Sequence, residues 1–186
     1  MRKPDLRKYF YDDPRKTALY LAIEAVVMFA YLALDLLTKE FVYGPIAAGE
    51  PDIILIDGVL RFTAVENTGA SFGIFSDATS VLLAVACVTF VVLAVLWVFS
   101  VKERNGFFRA ALVLMLAGAL GNIVDRIAFG YVRDFIYFEL IDFAVFNFAD
   151  SGLCVGCGCM IVYIIFFYRP EKKPKNKSEG DGKTEA

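Results

Sequence analysis

Four long apolar stretches dominate the pattern of hydrophobic and polar positions along the chain. They cover about residues 17–37, 78–101, 107–124 and 143–168. A helix needs roughly 20 mostly apolar residues to cross the hydrocarbon core of a bilayer. The pattern therefore predicts an all-α membrane protein in which four transmembrane helices form a bundle.

The first stretch also resembles a cleaved signal peptide in its position near the N-terminus. Its apolar part is longer than the roughly 7–15 residues of a signal-peptide core, and it contains Glu24 and Asp35. We therefore predict that this segment is retained as a membrane span.

The segment between the first two spans, about residues 41–76, has a pattern of its own. Two β-rich runs, Ile53–Ile56 and Val59–Val65, flank Asp57-Gly58. Asp-Gly between such runs is typical of a β-hairpin with a type I′ turn, in which both turn residues have positive φ. We predict a small β-hairpin or β-sheet element at the outer membrane–water boundary.

Lysine and arginine are distributed unevenly among the segments that separate the spans. Residues 1–16 and the tail after Tyr168 carry six each, and residues 102–109 carry three. Residues 38–77 and 125–142 carry only two each. Because basic residues concentrate on the cytoplasmic side, we predict that both termini and the middle loop are cytoplasmic. The other two segments then face outward.

The ends of the chain differ from the predicted membrane domain of residues 17–168. Residues 1–16 are basic, and residues 169–186 are polar without large apolar side chains. This composition predicts a disordered cytoplasmic tail. Its lysines either only fix the topology or also bind anionic lipid.

Composition limits the chemistry that an enzyme of this sequence can use. The 186-residue chain contains no histidine. Catalysis by Ser-His-Asp or Cys-His groups and histidine-ligated metal sites are therefore excluded. Carboxylates, lysine, tyrosine, serine and cysteine remain as candidates.

Three cysteines in the fourth span, Cys154, Cys157 and Cys159, have the spacing C-x-x-C-x-C. Such a cluster could bind metal through thiolates. Glycines alternate with these cysteines, and small residues along a span are typical of close helix packing. We favour packing and predict neither a metal nor another cofactor.

Acidic residues near the outward ends of the third and fourth spans are the main chemical signal. Asp125, Asp134 and Asp150 are costly to place at a membrane edge, which makes them functional candidates. If Asp134 faces Asp150, one carboxyl could hold a proton while the other activates water. The alternative is that each acid caps a helix or pairs with Arg126 or Arg133. For Asp125 we predict a structural ion pair with Arg126.

Four motifs make the chain resemble bacterial lipoprotein signal peptidases of the signal peptidase II type, over about Thr17 to Tyr168. In chain order they are Asp35-Leu-Leu-Thr-Lys39, Asn67-x-Gly-Ala-Ser-Phe-Gly73, Gly118-Ala-Leu-Gly-Asn122-x-x-Asp125-Arg126 with Gly130-x-Val-x-Asp134-Phe, and Phe146-Asn147-x-Ala149-Asp150-Ser151. The sequence departs from the family pattern at Ser151-Gly152-Leu153 and in the cysteine-rich run.

This resemblance implies a bundle of four membrane helices with a small extracytoplasmic β-element. It also implies a membrane aspartic endopeptidase that removes signal peptides from diacylglyceryl-modified prolipoproteins, cleaving before the lipidated cysteine. Asp134 and Asp150 match the catalytic aspartates, which activate water. The positions that match substrate-binding or supporting residues are Asn67, Gly69, Asn122, Asp125, Arg126, Asn147, Asp35 and Lys39.

The same resemblance implies the partners and the location of the protein. The partners are the diacylglyceryl-prolipoprotein substrate and membrane lipids, with no nucleic acid and no cofactor, and the protein is a monomer. It would lie in the bacterial cytoplasmic membrane with its active site at the extracytoplasmic face.

A small four-span transporter or assembly factor stays open as a different class of function. A transporter places its acids near the middle of the membrane and often consists of two matching halves. Here the acids lie near one end of the spans, and the sequence shows no internal repeat.

Overall fold

The structure is a computed structural model that describes residues 10, 12–69 and 78–169. Four helices in these ranges are long and apolar enough to cross a membrane. A three-stranded antiparallel sheet accompanies them. The predicted fold class is therefore confirmed. The disordered tail, most of the basic N-terminus and the Ala70–Gly73 part of the second motif lie outside the described residues.

The first span is longer than its apolar pattern indicates. Helix α1, Pro14–Thr38, continues through a π-helical turn at Lys39–Tyr43 into the short helix α2, Gly44–Ala47. The outer β-element therefore does not begin near residue 41. Lys39 and Tyr43 are both buried in this turn. The helical path continues because it places these two side chains in the protein interior.

The second and third spans are the helices α3, Ala78–Phe99, and α4, Gly106–Phe129. Helix α4 extends beyond the predicted end of the third span at residue 124. It ends at Gly130, whose left-handed backbone, with φ of 82°, is typical of a helix C-terminus. Asp125 and Arg126 consequently belong to the helix rather than to the following loop.

The fourth span, helix α5, covers Phe148–Phe166 and begins later than the predicted residue 143. The side chain of Asn147 accepts a hydrogen bond from the backbone N–H of Asp150. In return, the side chain of Asp150 accepts a hydrogen bond from the backbone N–H of Asn147. This reciprocal capping box defines the start of the helix.

Helix α4 is the centre of the bundle and contacts α1, α3 and α5. Glycines allow the closest approaches. A side chain at Gly118 would overlap the carbonyl oxygen of Ala149, and one at Gly121 would overlap the carboxylate of Asp35. The first turn of α5 and the end of α1 therefore reach the same face of α4.

The cysteine-rich run of α5 packs through its glycines. A Cβ atom at Gly152 would lie 2.8 Å from the ring of Tyr31, and one at Gly156 would lie 2.5 Å from Met115 Cγ. Cys154 and Cys157 are exposed on the helix surface and are not in disulfides. The departure from the family pattern at Gly152 thus accommodates the Tyr31 ring.

The predicted hairpin is confirmed, but its turn differs from the predicted type I′. Strand β1, Ile53–Ile56, pairs antiparallel with strand β2, Leu60–Asn67. Only Gly58 in the turn has positive φ, at 66°. Residues 57–59 form a longer turn, and the register shifts between Ile54 and Ile56, which indicates a bulge beside the turn.

Strand β3, Val132–Phe138, joins the sheet to the bundle and pairs antiparallel with β2. The backbone of Phe146, just before α5, bridges to Ile136 on the other side of β3. Phe135 is fully buried with Tyr43 and Ile136 in a small apolar core. The residues that follow α4 and precede α5 are thereby held together.

Candidate active site

The first turn of α5 carries Asp150. The carboxylate of Asp150 accepts hydrogen bonds from the Asn122 side chain at 2.8 Å and from the Asn147 backbone at 3.3 Å. Helix α1 holds the same turn, since Asp35 accepts a hydrogen bond from the Ala149 backbone at 2.8 Å. Residues of α1 and α4 thus hold the first turn of α5 and its aspartate.

Strand β3 supplies Asp134, which is 1% exposed. Its carboxylate accepts hydrogen bonds from Asn67 Nδ2 at 2.8 Å and from Asn147 Nδ2 at 2.7 Å. Asn147 therefore contacts both aspartates, one through its side chain and the other through its backbone. The structure brings Asp134 and Asp150 together around one buried asparagine.

Burial raises the pKa of Asp134 from its ordinary value of 3.8 to about 6. The hydrogen bonds from Asn67 and Asn147 lower the pKa, whereas the charge of Asp150 raises it. A carboxyl group that titrates near neutral pH beside a second carboxylate is suited to proton transfer in both directions.

Lys39 connects the first and third motifs in a fully buried network. Its ammonium nitrogen lies 2.8 Å from Asp35, 3.1 Å from Asp125 and 3.3 Å from the Asn122 side-chain oxygen. The contacts with Asp35 and Asn122 are hydrogen bonds, and the contact with Asp125 is an ion pair. The network holds Asn122, which in turn binds Asp150.

The predicted ion pair between Asp125 and Arg126 is wrong in its partner. Asp125 pairs with Lys39 and with Arg133, at 3.1 and 2.9 Å. Consecutive residues of a helix point in different directions, so neighbours in sequence seldom pair there. Nε of Arg126 is buried without a hydrogen-bond partner among the described residues, and its guanidinium interacts electrostatically with Asp150, Asp134 and, most weakly, Asp125.

Gly69 lies at the end of β2, where its backbone has positive φ of 76°. Its N–H donates to the side-chain oxygen of Asn67 at 2.9 Å. The glycine thereby orients the asparagine whose amide binds Asp134. A side chain at this position would also overlap Leu82 of α3.

Tyr31, which belongs to none of the four motifs, also supports the site. Its hydroxyl donates to the carbonyl oxygen of Phe148 at 2.8 Å, at the first residue of α5. A tyrosine in the middle of an apolar span is a usable signal, because a buried hydroxyl generally requires a partner.

A cavity of about 290 Å³ opens beside Asp134. It is lined by Val65, Glu66, Asn67, Thr68, Gly69, Asp134, Ala144 and Val145. Asp134 thus forms part of the cavity wall although its carboxylate is almost fully buried. Within the described ranges, no group of three or more acidic or cysteine side chains is arranged to hold a metal ion.

The raised pKa of Asp134 predicts how stability changes with pH. The folded state holds a proton more tightly than the unfolded chain, because the pKa is about 6 rather than 3.8. The contribution of this group to the free energy of unfolding therefore falls between about pH 4 and pH 6 as the pH rises. We therefore expect the difference between the melting temperature of the unmodified protein and that of Asp134→Asn to decrease as the pH rises over this range. A difference that is constant or increases with pH would contradict the assigned environment.

Comparison with known proteins identifies the family. Residues 27–166 match the family model described as "Signal peptidase (SPase) II". The chain is similar to the lipoprotein signal peptidase of Lactobacillus johnsonii, with 35% identity over 81% of this chain and 94% of the relative. It is also similar to that of Staphylococcus carnosus, with 36% identity over 84% of this chain and 99% of the relative.

A solved structure of a bacterial membrane enzyme, determined by the in meso method at 1.9 Å, has the same fold. It aligns with a TM-score of 0.68 and 27% identity, covering 79% of this chain and 95% of that chain. Together with the four membrane-length helices, the match indicates a multi-pass membrane protein. The family membership favours a protease over the transporter alternative. This chain belongs to the signal peptidase II family.

Proposed function

We propose that this protein removes signal peptides from diacylglyceryl-modified prolipoproteins and that Asp134 and Asp150 are its catalytic residues. The observation that carries the proposal is the bridging of both aspartates by Asn147, between strand β3 and the N-terminus of α5. The names of the similar proteins support the same substrate class.

The two carboxyl groups divide the work of peptide hydrolysis. The ionised aspartate takes a proton from a water molecule, and the water oxygen attacks the carbonyl carbon that precedes the lipidated cysteine. The protonated aspartate donates a hydrogen bond to the carbonyl oxygen, where negative charge develops. The C–N bond then breaks, and the amine of the cysteine takes up a proton from the pair.

The asparagines prepare the pair for this reaction. Asn67 and Asn122 each donate to one aspartate, at 2.8 Å in both cases, and Asn147 contacts both. These donors hold the carboxyl groups in position before the substrate arrives. All of the contacts come from one chain, so a monomer contains a complete pair.

The position of the site suits a substrate that is itself anchored in the membrane. Asp150 lies in the first turn of α5, and Asp134 lies in the strand that follows α4. The acyl chains of the substrate can extend along the exposed apolar faces of the helices, while the peptide reaches the cavity beside Asp134. Membrane lipids occupy the remaining apolar surface.

The orientation in the membrane follows from the distribution of basic residues. We propose that both termini are cytoplasmic and that the aspartates face the extracytoplasmic side. Reporter fusions after Tyr43 and Glu139 should therefore report the outside, and fusions after Arg104 and in the tail should report the cytoplasm. A cytoplasmic signal after Tyr43 would contradict this placement of the site.

A cleavage assay tests the proposed substrate. Purified protein in detergent should shorten a preprolipoprotein that carries a diacylglyceryl group on its cysteine. The same preprolipoprotein without the lipid is the matched control, and we expect its cleavage to be at least tenfold slower, which corresponds to about 1.4 kcal/mol in the barrier. Equal cleavage of both forms would contradict recognition of the lipid.

A further inference from the structure

Arg133 occupies an unassigned position of the motif Gly130-x-Val-x-Asp134, directly before the proposed catalytic aspartate. The residue is 8% exposed. Its guanidinium forks around one oxygen of Asp125, with Nε at 3.1 Å and Nη2 at 2.9 Å. A buried arginine with two hydrogen bonds to one carboxylate oxygen holds a well-defined geometry.

The backbone of Arg133 is tied to the same partner. Its N–H donates to the other oxygen of Asp125 at 3.0 Å, and its carbonyl oxygen accepts from the Asn147 amide at 3.5 Å. Both the side chain and the peptide unit of this residue are therefore attached to the bundle. The next residue along the strand is Asp134, whose Cα position depends on these attachments.

The side chain of Arg133 leaves the strand on the face opposite to Asp134, because successive residues of a strand alternate. In the pairing with β2, Arg133 lies opposite Glu66, and Asp134 lies opposite Val65. The guanidinium stacks on Phe129, 4.5 Å from the ring centre, and its outer end contacts the exposed Glu40 at 3.3 Å. Arg133 therefore does not face the reacting atoms and can affect the reaction only indirectly, through the residues that it holds.

We infer that Arg133 is a positioning residue that holds Asp134 in register with Asp150 by clamping the start of β3 to Asp125 on α4. The inference rests on the proposed role of the aspartate pair. A buried ion pair often contributes little net stability relative to apolar residues of similar size. Its effect here is to restrict the position of a reacting group, and an error of about 1 Å in such a position can cost about 10²-fold in rate.

Substitutions at Arg133 test the inference in the cleavage assay with a lipidated preprolipoprotein. For Arg133→Gln we expect kcat to fall by about ten- to a hundredfold with KM changed less than about threefold. Arg133→Lys keeps the positive charge but loses the fork, so its kcat should lie between those of Arg133→Gln and the unmodified protein. This partial rescue, together with the split between kcat and KM, separates positioning from a general loss of structure.

Two control variants match this chemistry. The first is Arg61→Gln. Like Arg133, Arg61 stacks on an aromatic ring, that of Tyr137, and it pairs with two acidic residues, Asp52 and Glu139. It lies further along the sheet from the proposed catalytic aspartates. Glu40→Gln removes the exposed contact of Arg133 and leaves the clamp on Asp125. Both should keep kcat and KM within about threefold, because Glu40 is exposed, the ion pairs of Arg61 are partly exposed and long at 3.7 and 3.8 Å, and such pairs contribute little.

The outcomes of the inference and of the proposed function are distinguishable. If Asp134→Asn is inactive while both Arg133 variants keep kcat within about threefold, the aspartate pair stands and the positioning role is wrong. If Asp134→Asn cleaves normally, the proposed function itself fails. If Arg133→Gln does not fold, the kcat of Arg133→Lys decides, and a value equal to that of the unmodified protein overturns the inference.

Discussion

Asp134→Asn and Asp150→Asn should each abolish most of the cleavage of a lipidated preprolipoprotein. Each change removes a group that must accept or donate a proton, and one such residue typically contributes about 10²–10⁴-fold in rate. Because the two carboxyl groups act as a unit, the double variant should be little slower than either single variant. Rates of product formation, measured beside melting temperatures, provide the test.

The control for this comparison is Asp142→Asn. Asp142 is exposed, and its carboxylate accepts a hydrogen bond from the Tyr137 hydroxyl at 2.7 Å, outside all four motifs. We expect its cleavage rate to stay close to that of the unmodified protein. Near-normal cleavage by Asp150→Asn would disprove the aspartic mechanism regardless of the family.

The pH dependence of the cleavage rate extends the same prediction. The pair is active with one proton, so the rate should decrease both when the pair loses this proton and when it gains a second. Since burial raises the pKa of Asp134 to about 6, the optimum should lie near or below neutral pH if Asp134 holds the shared proton.

Lys39→Met should cause the largest loss of stability among single substitutions in the buried network. Met fills a similar volume but leaves the carboxylates of Asp35 and Asp125 without the ammonium group that lies 2.8 and 3.1 Å away. Removing one partner of a buried ion pair typically costs about 3–5 kcal/mol. The measurement is the free energy of unfolding, or the melting temperature, in a fixed detergent.

Lys16→Met is the matched control for Lys39→Met. Lys16 is exposed in the first turns of the same helix, so its loss should change the free energy of unfolding by less than about 0.5 kcal/mol. Adding Asp35→Asn to Lys39→Met should recover part of the lost stability, because Lys39 is the only ion-pair partner of Asp35 among the described residues, whereas Asp125 keeps its pair with Arg133. Equal stability of Lys39→Met and Lys16→Met would show that Lys39 is not essential to the network.

The apolar pattern of the sequence predicts where the membrane helices lie but not where they begin and end. Apolar stretches located all four spans, because a membrane helix must be apolar along its length irrespective of its neighbours. The ends of the helices did not follow from apolarity. Helix α5 begins at Phe148 because Asn147 and Asp150 cap each other, and α1 continues through the π-helical turn because Lys39 and Tyr43 are buried there.

The sequence by itself determined the membrane class, the hairpin, the family and the polar residues that gather at the site. These follow from hydrophobic length, turn chemistry and ordered motifs, all of which are local. Only the tertiary structure decided the partners. Asp125 binds Lys39 and Arg133 rather than Arg126, and Asn147 contacts both Asp134 and Asp150. The physical reason is that a buried charge or amide pairs with whatever donor the packing of distant helices and strands brings within about 3 Å, and sequence spacing does not encode that distance.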